Sequence, residues 1–247
     1  MGAIFLSKHF RDVIRLRNHI LDSAQGELCD DEIAALTETL ASAKNSETFR
    51  ECIFDISDDL TKALSTQDIV NLEYAWPFIP KDMKLDELQK IVDMQANIQS
   101  RICGLDVPRT QVEFISKKSG VAATAFDYSA IGSHNDRILL NRNKEFLFTD
   151  FLSALEAVTH EQHHQLHNAL ARAAKHGKMQ AHHPLYDDAR YFKHMWDRKA
   201  LVEFKPCYDV HLDERNSERF GRLIRKNVGY YLDKAEGYLF SEPNCAI

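Results

Sequence analysis

The chain has 247 residues, 44% hydrophobic and 28% charged, with only nine Gly and six Pro. At roughly 100–200 residues per domain this means one large domain or two small ones, and it excludes a collagen-like or largely disordered chain. The net charge of −6 has the wrong sign for a general binder of nucleic acid or anionic membrane, so neither is expected as a partner.

The helical signal dominates the first hundred residues. Phe5, Phe10, Val13, Ile14, Leu16, Ile20 and Leu21 form an approximate helical stripe that Gly26 is placed to stop. A second helix is expected over 32–43, a third over 47–64 and a fourth over 66–74. Trp76-Pro77-Phe78-Ile79-Pro80 is a rigid break, followed by a helix over 85–103. The texture changes at Gly104. Strands are expected over 112–115, 121–128 and 137–141, the last a short apolar run, Ile138-Leu139-Leu140. A long helix starts near Thr149 or Asp150 and runs to about Lys175, with Gly177 as its C-cap. A His-, Pro- and aromatic-rich stretch occupies 178–208, and a last helix runs over 213–238. Two portions are expected, a helical one over 1–80 and a second over 81–247, with one continuous domain as the alternative.

Five cysteines, Cys29, Cys52, Cys103, Cys207 and Cys245, are scattered and form no CxxC pair. That speaks against a disulfide framework or a cysteine-only zinc site, and for a reducing compartment. The apolar patch Ala3-Ile4-Phe5-Leu6 is too short for a signal-peptide core, and no run approaches the ~18 residues of a membrane span. A cytoplasmic location is therefore expected, with non-classical export leaving no readable trace.

Residues 160–164 read His-Glu-Gln-His-His and satisfy H-E-x-x-H with His160, Glu161 and His164. Two His four apart on a helix project from one face and can hold one zinc through their ring nitrogens. The Glu beside the first His can take a proton from water that the metal has acidified. At about 100° per residue, His164 lies near +40° from His160 and His167 near −20°, while Phe151, Val158, Ala169, Leu155 and Leu166 lie on the opposite side. This is a helix with a core face and a histidine face. His163, near −60°, is expected at the solvent rim. The bland reading is a solvated polar face.

With its strands before the motif and a Glu-bearing helix after it, the region from about 85 to 221 resembles the core of a zincin metallopeptidase of the gluzincin type. The resemblance implies an α+β fold: a small mixed sheet, the HExxH helix and a downstream Glu helix, here behind a mostly helical N-terminal portion. It implies a Zn2+ cofactor, hydrolysis of a peptide or protein substrate, and Glu161 as general base. In such proteins the strand before the motif helix edges the cleft and pairs with extended substrate, which assigns that role to 137–141.

Zinc in a catalytic site takes three protein ligands and keeps one open position. The gluzincin pattern offers Glu214 as the third, with Glu218, one turn later, orienting the first His. His176, His182, His183, His194 and Glu203 remain alternative third ligands. Asp187-Asp188 is expected to cap a short helix rather than bind metal. Tyr208 is the favoured donor to the oxyanion among several Tyr and His of the 178–208 stretch. Two other functions are kept open: an idle zincin-like protein acting as a protein-binding or regulatory module, and a zinc hydrolase of non-peptide amides.

Overall fold

The computed structural model describes residues 17–18, 21–22, 29–31, 33–34, 37, 45–115, 123–126, 137–197 and 212–241. Over these residues the chain is mostly helical with one small sheet, an α+β protein. The elements are α1 (Glu47–Leu64), α2 (Gln67–Ala75), α3 (Lys81–Cys103), β1 (Gln111–Ile115), β2 (Ala123–Phe126) and β3 (Arg137–Asn141). They are followed by α4 (Phe146–Thr149), α5 (Phe151–Lys175), α6 (Tyr186–Asp197) and α7 (Leu212–Ser241). The two helices expected before residue 44 fall largely outside the described residues. No helix among the described residues is long and apolar enough to cross a membrane.

Residues 50–169 and 217–247 form one compact unit. Its core is built from Ile56, Leu60 and Leu64 of α1, Leu88, Ile91 and Val92 of α3, Ile138 and Leu140 of β3, and Leu155 and Val158 of α5, all buried. The Trp76–Pro80 break has a structural task. It drops Trp76 fully into this core, edge-on to Phe151 at 5.3 Å, with the indole Nε1 donating to the Leu147 carbonyl at 3.3 Å. Beside it, buried Lys84 donates from Nζ to the Phe148 carbonyl at 2.9 Å. Burial holds this amine below the usual lysine range, and neighbouring Lys81 adds to the effect.

The sheet has the order β1-β3-β2. β3 pairs in parallel with β1, Val112 opposite Ile138, and antiparallel with β2, Thr124 opposite Leu139. The expectation that residues 137–141 form an edge strand receiving substrate is therefore wrong. β3 is the central strand, and both of its edges are occupied. Its buried Ile138-Leu139-Leu140 run explains why: an uninterrupted apolar segment suits a strand covered on both faces. The outer side of β1 is also engaged. The Gln89 amide accepts from Val112 N and donates to Thr110 O, both at 2.8 Å, imitating a neighbouring strand.

Residues 1–49 and 170–216 form the second unit. Ser46 caps α1, its Oγ accepting from Phe49 N at 3.0 Å. The carboxylate of Asp188 accepts from both the Ser46 backbone N–H, at 2.9 Å, and the Ser46 hydroxyl, at 2.6 Å. Asp188 thus lies in the first turn of α6 and serves the start of α1. Phe49 packs edge-on against Phe192 at 5.8 Å.

Candidate metal centre

Two helices carry the candidate site, and local chemistry sets both ends of the first. Asp150 begins α5, its carboxylate accepting from Leu152 N at 3.0 Å and from the Ser153 hydroxyl. Gly177 ends it with φ +64°. Lys178 N bonds Ala173 O at 2.9 Å and Gly177 N bonds Ala174 O, the paired closure that a left-handed residue permits. The back of α5 is gripped by polar groups that apolar periodicity could not reveal. Fully buried Gln162 accepts from Thr110 Oγ1 at 2.6 Å and donates to Gln99 Oε1 and Pro108 O, both at 3.3 Å. Gln95 donates to Thr159 O at 3.0 Å. These bonds fix the rotation of the helix about its axis, and so the direction in which its histidine face looks.

On that face, His160 Nε2 and His164 Nε2 are 3.1 Å apart. Two imidazoles bound to one tetrahedral zinc at about 2.0–2.1 Å would have nitrogens about 3.3 Å apart. The pair is thus already spaced as zinc requires. α7 is one unbroken helix from Leu212 to Ser241, and it docks on α5 through Ser217, Phe220 and Gly221. Glu214 lies one turn before Ser217 on that helix. One ligand atom each from His160, His164 and Glu214 lie within 4.8 Å of one another, and all three residues are half-buried. Two nitrogens and a carboxylate oxygen form a donor set that suits zinc and leaves a fourth position open.

Gly221 makes the helix–helix approach possible. A Cβ there would stand 2.8 Å from the Glu156 carbonyl oxygen and 3.2 Å from His160 Cβ. Ser217, fully buried, places its Oγ 3.3 Å from His164 Nδ1. Were Nε2 to hold a metal, Nδ1 would carry the proton and donate it to that hydroxyl, which would fix tautomer and ring orientation. Ser217 thus makes the kind of contact expected of Glu218, which lies elsewhere. Glu218 pairs with Arg222 at 2.5 Å and its side chain is 45% exposed. Sequence reading missed Ser217 because a lone Ser among charged residues carries no ligand signal.

The motif helix is not a solvated face. Glu161 is 8% exposed and His167 2%. His163, expected at the rim, is completely buried and stacks on Phe220 at 4.4 Å with the rings 13° apart. The wheel placed it away from the apolar side correctly. What it could not show is that α7 covers that side with an aromatic ring.

The other expected ligands distribute as follows. His176 and His182 are exposed, and His183 Nδ1 accepts from Leu185 N at 3.1 Å in a local turn. His194 lies on α6. Tyr208 and Glu203 lie outside the described residues. Among the described residues, His160, His164 and Glu214 are the group of His, Cys, Asp and Glu side chains spaced to hold a metal ion. No family model, curated protein or solved structure matches this chain.

Proposed function

We propose that this chain is a zinc-dependent hydrolase that cleaves peptide bonds. One observation carries the reading: two helix-borne imidazoles at zinc spacing, with the Glu214 carboxylate beside them and a buried Glu following the first His. His160, His164 and Glu214 hold the metal, and Ser217 holds His164. Zinc, when bound, acidifies water and polarises the scissile carbonyl. Glu161 accepts a proton from the attacking water and hands it to the departing amine. The zincin-like character of the core is part of the same proposal, with one departure from the gluzincin pattern: β3 is not free to pair with substrate.

Two measurements test the proposal. Protein purified without added metal is expected to contain about one zinc per chain, absent from the His160→Ala, His164→Ala double variant. Glu161→Gln is expected to keep the zinc and lose about 10²–10⁴-fold in peptide cleavage. Wild type that takes up no zinc at neutral pH would overturn the site. A zinc-loaded wild type that cleaves no member of a degenerate peptide mixture would leave a zinc-binding module instead of an enzyme.

A further inference from the structure

The two helices that carry the metal group also border a groove that the hydrolase reading leaves unused. From His164 and His160 the same stripe of α5 continues, four residues at a time, to Glu156 and Leu152. From Glu214 a matching stripe of α7 continues through Glu218, Arg222 and Lys226 to Tyr230. The ends of the two stripes, Glu156 and Leu152 against Arg222, Lys226 and Tyr230, border a groove of about 620 Å³. Gly229 belongs to its floor, where a side chain would crowd Leu152 Cδ1 at 3.3 Å.

The groove's charges do unequal work. Arg225 is committed to the fold, bonded to Glu156 at 2.8 Å and to Asp150 at 3.3 Å. Arg222 is 67% exposed, paired with Glu218 at 2.5 Å and within 4.0 Å of Glu156 across the groove. Lys226 is exposed and makes no ion pair among the described residues. Lys226 is thus the cation open to a visitor, and the exposed Arg222 can exchange its surface partners for a visitor's carboxylate. Asp233, at the far end, turns a long run of negative charge away. The Leu152 side chain and the 62% exposed ring of Tyr230 add apolar contact.

Position converts these groups into a substrate rule. At 1.5 Å per residue, Arg222 and Lys226 start about 12 and 18 Å along the axis from Glu214. Helical side chains lean toward the N-terminus, here the metal end, and Arg222 does so in reaching Glu218. An extended peptide advances about 3.3 Å per residue, so the two cations meet it roughly two to four residues from the reacting bond. We infer that the groove selects peptides carrying one or two acidic side chains at that distance on one side of the scissile bond, with Arg222 and Lys226 as the specificity determinants. This rests on the hydrolase reading for the place of the bond, but the binding itself does not.

The test uses two fluorescein-labelled twelve-residue peptides that differ only in Glu against Gln at two adjacent positions. Each is titrated by anisotropy into zinc-loaded Glu161→Gln, and into chelator-treated wild type in case that variant fails to fold. The Glu peptide is expected to bind about tenfold tighter at low salt, with the advantage shrinking as salt rises. Arg222→Gln with Lys226→Gln is expected to abolish the difference. Equal binding of the two peptides, or a difference that survives in the double variant, overturns the inference. So does an oligothymidylate of similar length that binds as tightly as the Glu peptide. Cleavage by wild type is read separately. Preference without cleavage removes the hydrolase reading and leaves the groove, while cleavage without preference removes the groove alone.

Discussion

At the scale of single residues, the candidate site depends on a hydroxyl as well as on its three ligands. Ser217 has no exposure and stands 3.3 Å from His164 Nδ1. Removing the hydroxyl takes away this contact with the ring. Ser217→Ala is therefore expected to weaken zinc binding about 10–100-fold, measured by competition with a chelating dye. Ser217→Thr keeps the hydroxyl and is expected to restore most of the affinity. Unchanged affinity in Ser217→Ala would show that the ring is held by something else. The juxtaposition of His160 and His164 was legible in the sequence, because residues four apart lie one turn apart on a helix. Ser217 and the stacking of His163 on Phe220 were not, because both depend on which helix lies across from which.

At the scale of elements, the decisive contact is the crossing of α5 and α7 at Gly221. The atom a methyl group would meet there is a backbone oxygen, Glu156 O, at 2.8 Å, and a carbonyl inside a helix cannot rotate away. Gly221→Ala must push the helices apart, which would cost about 1–3 kcal/mol in a packed interface. Since Glu214 and Ser217 ride on the displaced helix, zinc affinity should fall together with the urea midpoint. A variant that loses stability but keeps its affinity would show that the ligand spacing does not depend on this approach. The helices themselves were readable. α1, α2, α3, α5 and α7 follow apolar periodicity and clear stops such as Gly104 and Gly177, both at positive φ. Of α6 the acidic start at Asp187-Asp188 was readable but not the extent, because the His and Pro around it hide buried Ala189 and Phe192, with Leu185 just ahead of the helix. Strand positions were legible, but not their order. β3 looks the same in sequence whether it is central or at an edge, until its unbroken apolar run is weighed.

At the scale of the whole molecule, a group of carboxylates forms where α2 and α7 meet the start of α5. Glu73, Asp150, Asp233 and Glu236 gather there, and Tyr74 donates its hydroxyl to Glu236 at 3.0 Å. Burial, foremost, and then the fields of Glu236, Asp150 and Asp233 hold the Glu73 carboxyl above its ordinary value of 4.5. The consequence for stability has a definite sign. A carboxyl whose folded-state pKa is raised favours the fold while protonated, and this contribution fades as pH climbs from about 4.5 through the folded-state value. Once ionised, Glu73 is a charge the folded chain would be more stable without. Glu73→Gln keeps the shape and removes the titration. It is expected to match wild type in thermal midpoint near pH 4 and to exceed it by up to a few degrees at pH 7. The divergence should open across the window just above pH 4.5, because that is where the unfolded chain releases its proton and the folded chain retains it. Midpoints that run parallel from pH 4 to pH 8 would place the Glu73 carboxyl at its ordinary value and remove this cluster as a source of pH dependence.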